Sequence, residues 1–420
     1  MKKNIFFYII FVSSFIAYSQ GLKLDPKNSG KLKSWTQLEN FGFADAFPSR
    51  ISYRAFTPPI LDQGQAATCV GYAVAYGLLT TQQNVLMGIT NENMKYFRAM
   101  DPNFVYALIK SYDDSWCEEG SSMYDAIGVL INSGCKPMFF EPWLECNSTT
   151  AISKFAMLAA SNYSVNDAFL LDTGRTDKIV EQMKSALNDR RLVAIGVQLT
   201  ESFKSGTTVQ YGSWLPSGNE PLNGAHAMVI IGYDDNKNGG SFEVMNSWGA
   251  NFGDNGFVWI KYADAKKYIE QAYVLDIEGF STSNCGFGDC ANSVSRYKYS
   301  SGNAYEGLIV NNYPDVYGSY FFTSGNFYVG EFSKGKKHGY GLFYENTSEQ
   351  FFLTYYQNDV IVNKSALQGF SEDGEKLDKT LELYEKLNQL KPAKLVKEND
   401  KAFEILLDME IPVEDMKINH

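Results

Sequence analysis

The chain has 420 residues, 45% of them hydrophobic and 20% charged, with a net charge of −11. This length is too great for one typical domain and points to two or three units. The acidic balance excludes a nucleic-acid-binding surface, and 29 Phe with 27 Tyr exclude a disordered chain.

The first 19 residues read as a cleaved signal peptide. Lys2 and Lys3 precede an apolar run over residues 5–17, and Ala17-Tyr18-Ser19 supplies small residues before Gln20. The run is shorter than the ~20 residues of a spanning helix. The expectation is an exported protein, periplasmic, cell-surface or secreted, in which disulfides are permitted. Residues 20–45, polar and rich in Lys, Asn and Ser, read as a linker.

Phe47-Pro48 and Pro58-Pro59 then bring the chain, extended, to Asp62-Gln63-Gly64-Gln65-Ala66-Ala67-Thr68-Cys69. From Cys69 an apolar run to about Met87 predicts a long helix buried on more than one side. A thiol at such a helix start has its thiolate favoured by unpaired N–H groups and the macrodipole. Gln63 stands where its amide can serve a developing oxyanion. Further helices are predicted over residues 102–112, from Ser122 to Ser133-Gly134, and over residues 177–188. After Arg191 the pattern turns to strands, at residues 192–197, 227–233, 242–245 and 257–262. Helices first and strands second predict an α+β unit with a helical lobe, a β lobe and a cleft between them.

Of three histidines, His226 stands at the mouth of a buried-looking strand. Twenty residues later Asn246-Ser247-Trp248-Gly249 ends another strand. Pairing of those strands lets the Asn246 oxygen orient the imidazole, leaving its second nitrogen for Cys69. No paired C-x-x-C exists and histidine is scarce, so neither a metal nor a cofactor is expected. Cys285 and Cys290 enclose a short loop and can bridge locally. Two of Cys117, Cys135 and Cys146 can pair, and the sequence leaves open which.

Asp62-Gln63-Gly64 with Cys69, His226-Ala227 with Gly232-Tyr233, and Asn246-Ser247-Trp248-Gly249 with Gly253-Asp254-Asn255-Gly256 together resemble the papain-like cysteine peptidases. The Cys-to-His separation, 157 residues, lies slightly beyond the usual ~130–150. The resemblance spans about residues 46–280 and implies a two-lobed papain-like domain. It makes Cys69 the nucleophile, His226 the base and then acid, Asn246 the orienting group and Gln63 an oxyanion donor. Trp248 would shield the His–Asn bond, and Glu119, Gly120 and Met123 would lie along the substrate wall. A thiolate–imidazolium pair near neutral pH follows. The family's half-cystine three residues before the nucleophile is Ala66 here, Val70 replaces an aromatic, and the long prodomain of many relatives does not fit before the motif. The resemblance implies hydrolysis of a protein or peptide substrate. The same thioester would serve a transpeptidase, and the other alternative is an inactive surface-binding relative.

Residues 281–302, with the Cys285/Cys290 loop, read as a second linker. In residues 303–365, Tyr305-Glu306-Gly307 recurs as Tyr328-Val329-Gly330 after 23 residues, a period that predicts stacked β-hairpins. The middle unit, through Gly335-Lys336-Lys337-His338-Gly339-Tyr340-Gly341, resembles a MORN (membrane occupation and recognition nexus) repeat, with His338 structural. Its lysines form a solvated edge or a contact to an envelope or membrane surface. Residues 366–420 read as a charged helical tail, and a monomer is expected.

Overall fold

The computed structural model describes residues 21–25, 30–35, 47–138 and, with short interruptions, 152–366. The signal-peptide expectation, most of the tail and Cys146 lie outside the described residues. Helix α1 covers residues 69–87: Cys69–Gly71 and Thr80–Met87 are α-helical, and Tyr72–Leu79 between them winds as a π-helix. A run apolar on every face must be surrounded, and Cys69 through Val85 is buried throughout. The polar residues at its C-terminal end are buried with partners: Gln82 Nε2 donates to Arg190 O at 2.6 Å and its Oε1 accepts from Leu192 N at 2.9 Å. Those bonds tie the helix to the β lobe.

After α2 (Glu92–Phe97), α3 (Pro102–Ile109) and α4 (Met123–Asn132) pack on α1. Asp101 caps α3, its Oδ1 accepting from Asn103 N at 2.9 Å and Phe104 N at 3.2 Å. Ser122 caps α4 in the predicted way, accepting from Tyr124 N at 3.1 Å.

Among the described residues the β lobe is a ten-stranded sheet. Its strands are β1 (Lys33–Ser34), β2 (Arg50–Ser52), β3 (Asp167–Leu170), β4 (Val193–Thr200), β5 (Val209–Gln210), β6 (Ser213–Trp214), β7 (Leu222–Asp234), β8 (Ser241–Met245), β9 (Phe257–Lys261) and β10 (Ile269–Asp276). Their order is β1-β3-β10-β4-β7-β8-β9-β6-β5, with β2 added along β7. Helix α5 (Asp177–Asn188) packs on β4 and β7. Strand β7 starts at Leu222, ahead of its apolar run, because Thr200 and Gln198 of β4 pair with Leu222 and Ala225. Residues 33 and 34, read as linker, pair in parallel with Phe169 and Leu170.

The C-terminal sheet is an antiparallel meander in chain order: β11 (Cys285–Phe287), β12 (Val294–Lys298), β13 (Ala304–Val310), β14 (Tyr313–Phe321), β15 (Phe327–Ser333), β16 (Lys336–Glu345), β17 (Gln350–Gln357) and β18 (Val360–Ala366). The second linker thus supplies two of its strands. Asn311-Asn312, Lys334-Gly335 and Asn358-Asp359 all take positive φ, the geometry whose twist matches a tight hairpin. The Tyr-x-Gly period has a steric cause. Tyr328 is fully buried, and a Cβ added at Gly341 would stand 2.2 Å from its ring.

This sheet is no free appendage. Phe321, Phe327, Val329, Leu342 and Tyr344 share one hydrophobic core with α1, α3 and α4. Glu306 forms buried ion pairs with Arg98 of the helical lobe and, at 3.3 Å, with Arg296. Glu306→Ala leaves both guanidinium groups uncompensated, so we expect a loss of about 3–5 kcal/mol. Denaturant titration read by intrinsic fluorescence checks this, and an unchanged midpoint would remove the ion pairs from the account.

Candidate active site

Cys69 opens α1 and is fully buried. The preceding loop is shaped by Asp62, whose Oδ1 accepts from Gly64 N at 2.8 Å, with Gly64 at φ +62°. The loop is also stitched to the turn after β8. Gln63 N donates to Ser247 O at 2.9 Å, and Asp62 bridges Trp248. The Gln63 side chain is held at both ends: Nε2 donates to Ala66 O at 2.8 Å, and Oε1 accepts from Ser247 Oγ at 2.7 Å. The amide is therefore aimed before any ligand arrives.

His226 lies on β7 and Asn246 directly after β8, and pairing of Val229 with Met245 brings the two side chains together. His226 Nε2 and Asn246 Oδ1 are 2.8 Å apart, and the same oxygen accepts from Ser247 N at 2.8 Å. A carboxamide oxygen only accepts, so Nε2 carries the proton. Nδ1 is then the basic nitrogen, and it is buried without a hydrogen-bond partner. Trp248, 1% exposed, lies over the imidazole at 4.6 Å between centroids and is backed by Phe203 and Phe252. The indole excludes water from the His–Asn bond. The Ala227 amide, one residue after His226, faces the Cys69 sulfur.

The expected thiolate–imidazolium pair is not favoured in this state. Burial pushes the Cys69 thiol up to about 11, against the amides of Ala227, Gly21, Val70 and Cys69 itself. Burial also pushes His226 down to about 4, against the Asn246 bond. The departure has one cause: the cleft is closed over both groups, and neither charge is hydrated.

What closes it is residues 21–24, a stretch read as linker. Ser121 N donates to Gly21 O at 2.7 Å and Lys23 N to Ser121 O at 2.9 Å, a parallel bridge along the wall. Glu119, Gly120 and Met123 do line the segment. Lys23 Nζ is 3.5 Å from Glu119, a Cβ at Gly120 would stand 2.2 Å from Gly21 O, and a Cβ at Gly196 would meet Leu22 at 2.8 Å and Met123 at 3.2 Å.

Four supporting residues escaped the sequence reading. Tyr106 OH donates to Asp114 at 2.7 Å and accepts from Gly120 N at 3.1 Å, pinning the wall loop. Burial opposes charge on Asp114, but bonds from Tyr106 and the Glu118 and Glu119 amides hold its carboxyl below the usual range. Ser247, quoted only as part of its motif, aims Gln63. Leu22 had a signal: Leu22, Lys23, Leu24 and Asp25 alternate apolar and polar, as a half-buried strand does.

Cys285 and Cys290 are joined by a disulfide. Cys117 is also disulfide-bonded, and Cys135 is the buried thiol left over. Among the described residues no group of three or more His, Cys, Asp or Glu side chains could hold a metal ion.

A family model described as papain family cysteine protease matches residues 144–277, which contain His226 and Asn246 but not Cys69. MORN repeats match residues 305–327 and 328–346. An uncharacterized peptidase C1-like protein of Acanthamoeba polyphaga mimivirus is 26% identical over 221 residues, covering 50% of this chain and 65% of that protein. The chain thus spans under two thirds of that relative. Xylellain, a cysteine protease from Xylella fastidiosa, superposes with a TM-score of 0.50 at 19% identity, covering 63% of this chain and 97% of its own. Procathepsin L2 proteinase from Tenebrio molitor larval midgut gives a TM-score of 0.49 at 18% identity, over 64% of this chain and 81% of its own. The fold of the first two lobes is papain-like.

The His226 shift has a sign that can be checked. Above about pH 6.5 the residue is neutral in both folded and unfolded chains. Between pH 6.5 and its folded value of about 4, only the unfolded chain takes up the proton. Stability is therefore fully present above pH 6.5 and falls as pH drops towards 4, by on the order of 3 kcal/mol. Urea unfolding across this window should show that slope in the wild type and not in His226→Leu. Equal slopes would show that His226 is not buried neutral.

Proposed function

We propose that this papain-like protein is an exported cysteine-type peptidase that hydrolyses polypeptides through a thioester on Cys69. The observation carrying the reading is the His226–Asn246 bond under Trp248, which leaves His226 Nδ1 as a buried base beside the strand amide that faces the Cys69 sulfur. The apolar run after Lys2-Lys3 supports export.

The chemistry follows from the atoms in place. With substrate in the opened cleft, His226 Nδ1 takes the thiol proton and the sulfur attacks the scissile carbonyl carbon. The oxyanion forms against the Cys69 backbone N–H and the Gln63 amide. That amide is set between Ala66 O and Ser247 Oγ, so it stabilises charge without first reorganising. The imidazolium returns its proton to the leaving amine. Water, activated by the same nitrogen, then cleaves the thioester. Asn246 holds one tautomer and one ring orientation throughout. The Lys-bearing hairpins would provide contact to an envelope or membrane surface, the exposed Lys336 among them.

Cys69→Ala should abolish hydrolysis of a quenched fluorogenic peptide library. Cleavage persisting in that variant, with contaminating proteases excluded, would sink the reading. Gln63→Ala should lower kcat by about 10²–10³ and leave KM within a few-fold, because its amide acts on the transition state. Steady-state kinetics on one library-derived substrate separates the two parameters.

A further inference from the structure

The C-terminal sheet carries a cleft that the chemistry at Cys69 does not use. Phe321, Phe327, Val329, Leu342 and Tyr344 face the helical lobe. Side chains alternate along a strand, so Tyr320, Tyr328 and Phe343 stand on the opposite, outer face. There Tyr328 and Phe332 are buried, while Tyr299, Tyr320 and Phe322 are half-buried. These rings, with Lys337 and Asp359, line a cleft of about 230 Å³.

The cleft is built from side chains that are already held. Tyr320 lies 5.5 Å from Tyr299 and 4.8 Å from Phe322 between ring centroids, and its OH accepts from Asn303 Nδ2 at 3.2 Å. Asp359 closes the β17–β18 hairpin at φ +68°. Its Oδ1 accepts from Lys337 N and its N donates to Lys337 O, both at 2.9 Å. Lys337 Nζ stands 3.5 Å from the Asp359 carboxylate and 5.4–5.9 Å from the ring centroids of Tyr320, Phe322, Tyr328 and Tyr356. An ammonium has three donors, and the Asp359 contact accounts for at most one.

The chemistry of this lining selects its ligand. Aromatic faces are negative and attract C–H groups, the ammonium donates, the carboxylate accepts, and a tyrosine hydroxyl does both. The two charges lie side by side and cancel. Lys364, over Phe343 on the same face, is likewise paired with Glu345 at 3.6 Å. An anionic ligand would therefore find both cations neutralised. A neutral ring with a C–H face and a rim of hydroxyls matches every group. The volume is below the ~300–1,000 Å³ of pockets that enclose a drug-sized ligand, and suits one ring of a longer chain.

We propose that this cleft is a glycan site, which takes one hexopyranose ring of a neutral polysaccharide against Tyr320 and Phe322, with its hydroxyls on Lys337 and Asp359. The proposal rests on the reading of the hairpins as a contact to an envelope surface, and it is independent of the peptidase reading.

The test titrates full-length protein with cellotetraose, maltotetraose and chitotetraose by calorimetry. Saturation-transfer NMR reads contact at the sugar C–H protons. Co-sedimentation with vesicles of equimolar phosphatidylglycerol and phosphatidylcholine reads the lipid alternative. We expect saturable binding of at least one sugar with a Kd of about 1 mM or tighter, and no sedimentation with vesicles. Tyr320→Ala should weaken that binding about tenfold and Asp359→Asn several-fold. If Tyr320→Ala does not fold, as far-UV circular dichroism would show, Asp359→Asn decides alone. No saturation by any of the three sugars up to about 10 mM overturns the glycan site, as does equal binding by wild type and variants. Sedimentation with vesicles in the absence of sugar binding overturns the glycan and keeps the envelope contact. Failure of both probes removes both.

Discussion

The hydrogen bond from His226 Nε2 to Asn246 Oδ1 is the constraint on which the rest of the site depends. A neutral bond of this kind contributes only about 0.5–1.5 kcal/mol net, but leaving either buried group unpaired costs about 1–3 kcal/mol. It therefore acts chiefly as a requirement on geometry. Strands β7 and β8 must pair in a register that brings residues 226 and 246 together, and the turn after β8 must present the Asn oxygen to Ser247 N as well. That turn also grips the loop before Cys69, through Gln63 N to Ser247 O and Ser247 Oγ to Gln63 Oε1. One short segment thus orients the base, aims an amide and anchors the loop that delivers the thiol.

Burial gives this arrangement its precision and also its latency. With Trp248 over the imidazole and residues 21–24 over the thiol, water is excluded from both groups. Desolvation then favours the two neutral forms, raising the thiol and lowering the imidazole. In the proposed mechanism an ion pair must form where the closed cleft disfavours one. Opening the cleft admits substrate and restores the dielectric that the charges need, so one movement serves both ends.

The C-terminal sheet shows a different economy. Its repeat is a tyrosine laid flat across glycines of the neighbouring strands, closed by turns with two positive φ angles. Each hairpin has two faces to cover. One is packed by its own tyrosines, Tyr305 and Tyr328, and the other by the helical lobe. A buried arginine–glutamate network at that junction makes separation costly, because parting the surfaces strands charges in a low-dielectric interior. The sheet and the helical lobe therefore depend on each other for part of their cores.

Local pattern was enough to read much of this molecule. The helix over residues 177–188 carries its own period, and the helix over residues 69–87 and the strands near residues 193, 227, 242 and 257 are marked by apolar runs. Cys69, His226 and Asn246 were legible as candidates because few residue types can do such chemistry and their order is specific. The 23-residue repeat was legible because stacking imposes the same glycine and tyrosine on each unit. What the sequence left open depends on contacts between residues far apart along the chain. Which cysteines pair, that Tyr106 and Asp114 brace the wall, that β1 joins the sheet and that Leu22 closes the cleft are decided by tertiary packing alone. A four-residue stretch has too few residues to show a decisive period. Its place is set by a pocket whose walls, Met123, Gly196 and Ser121, come from the opposite side of the fold.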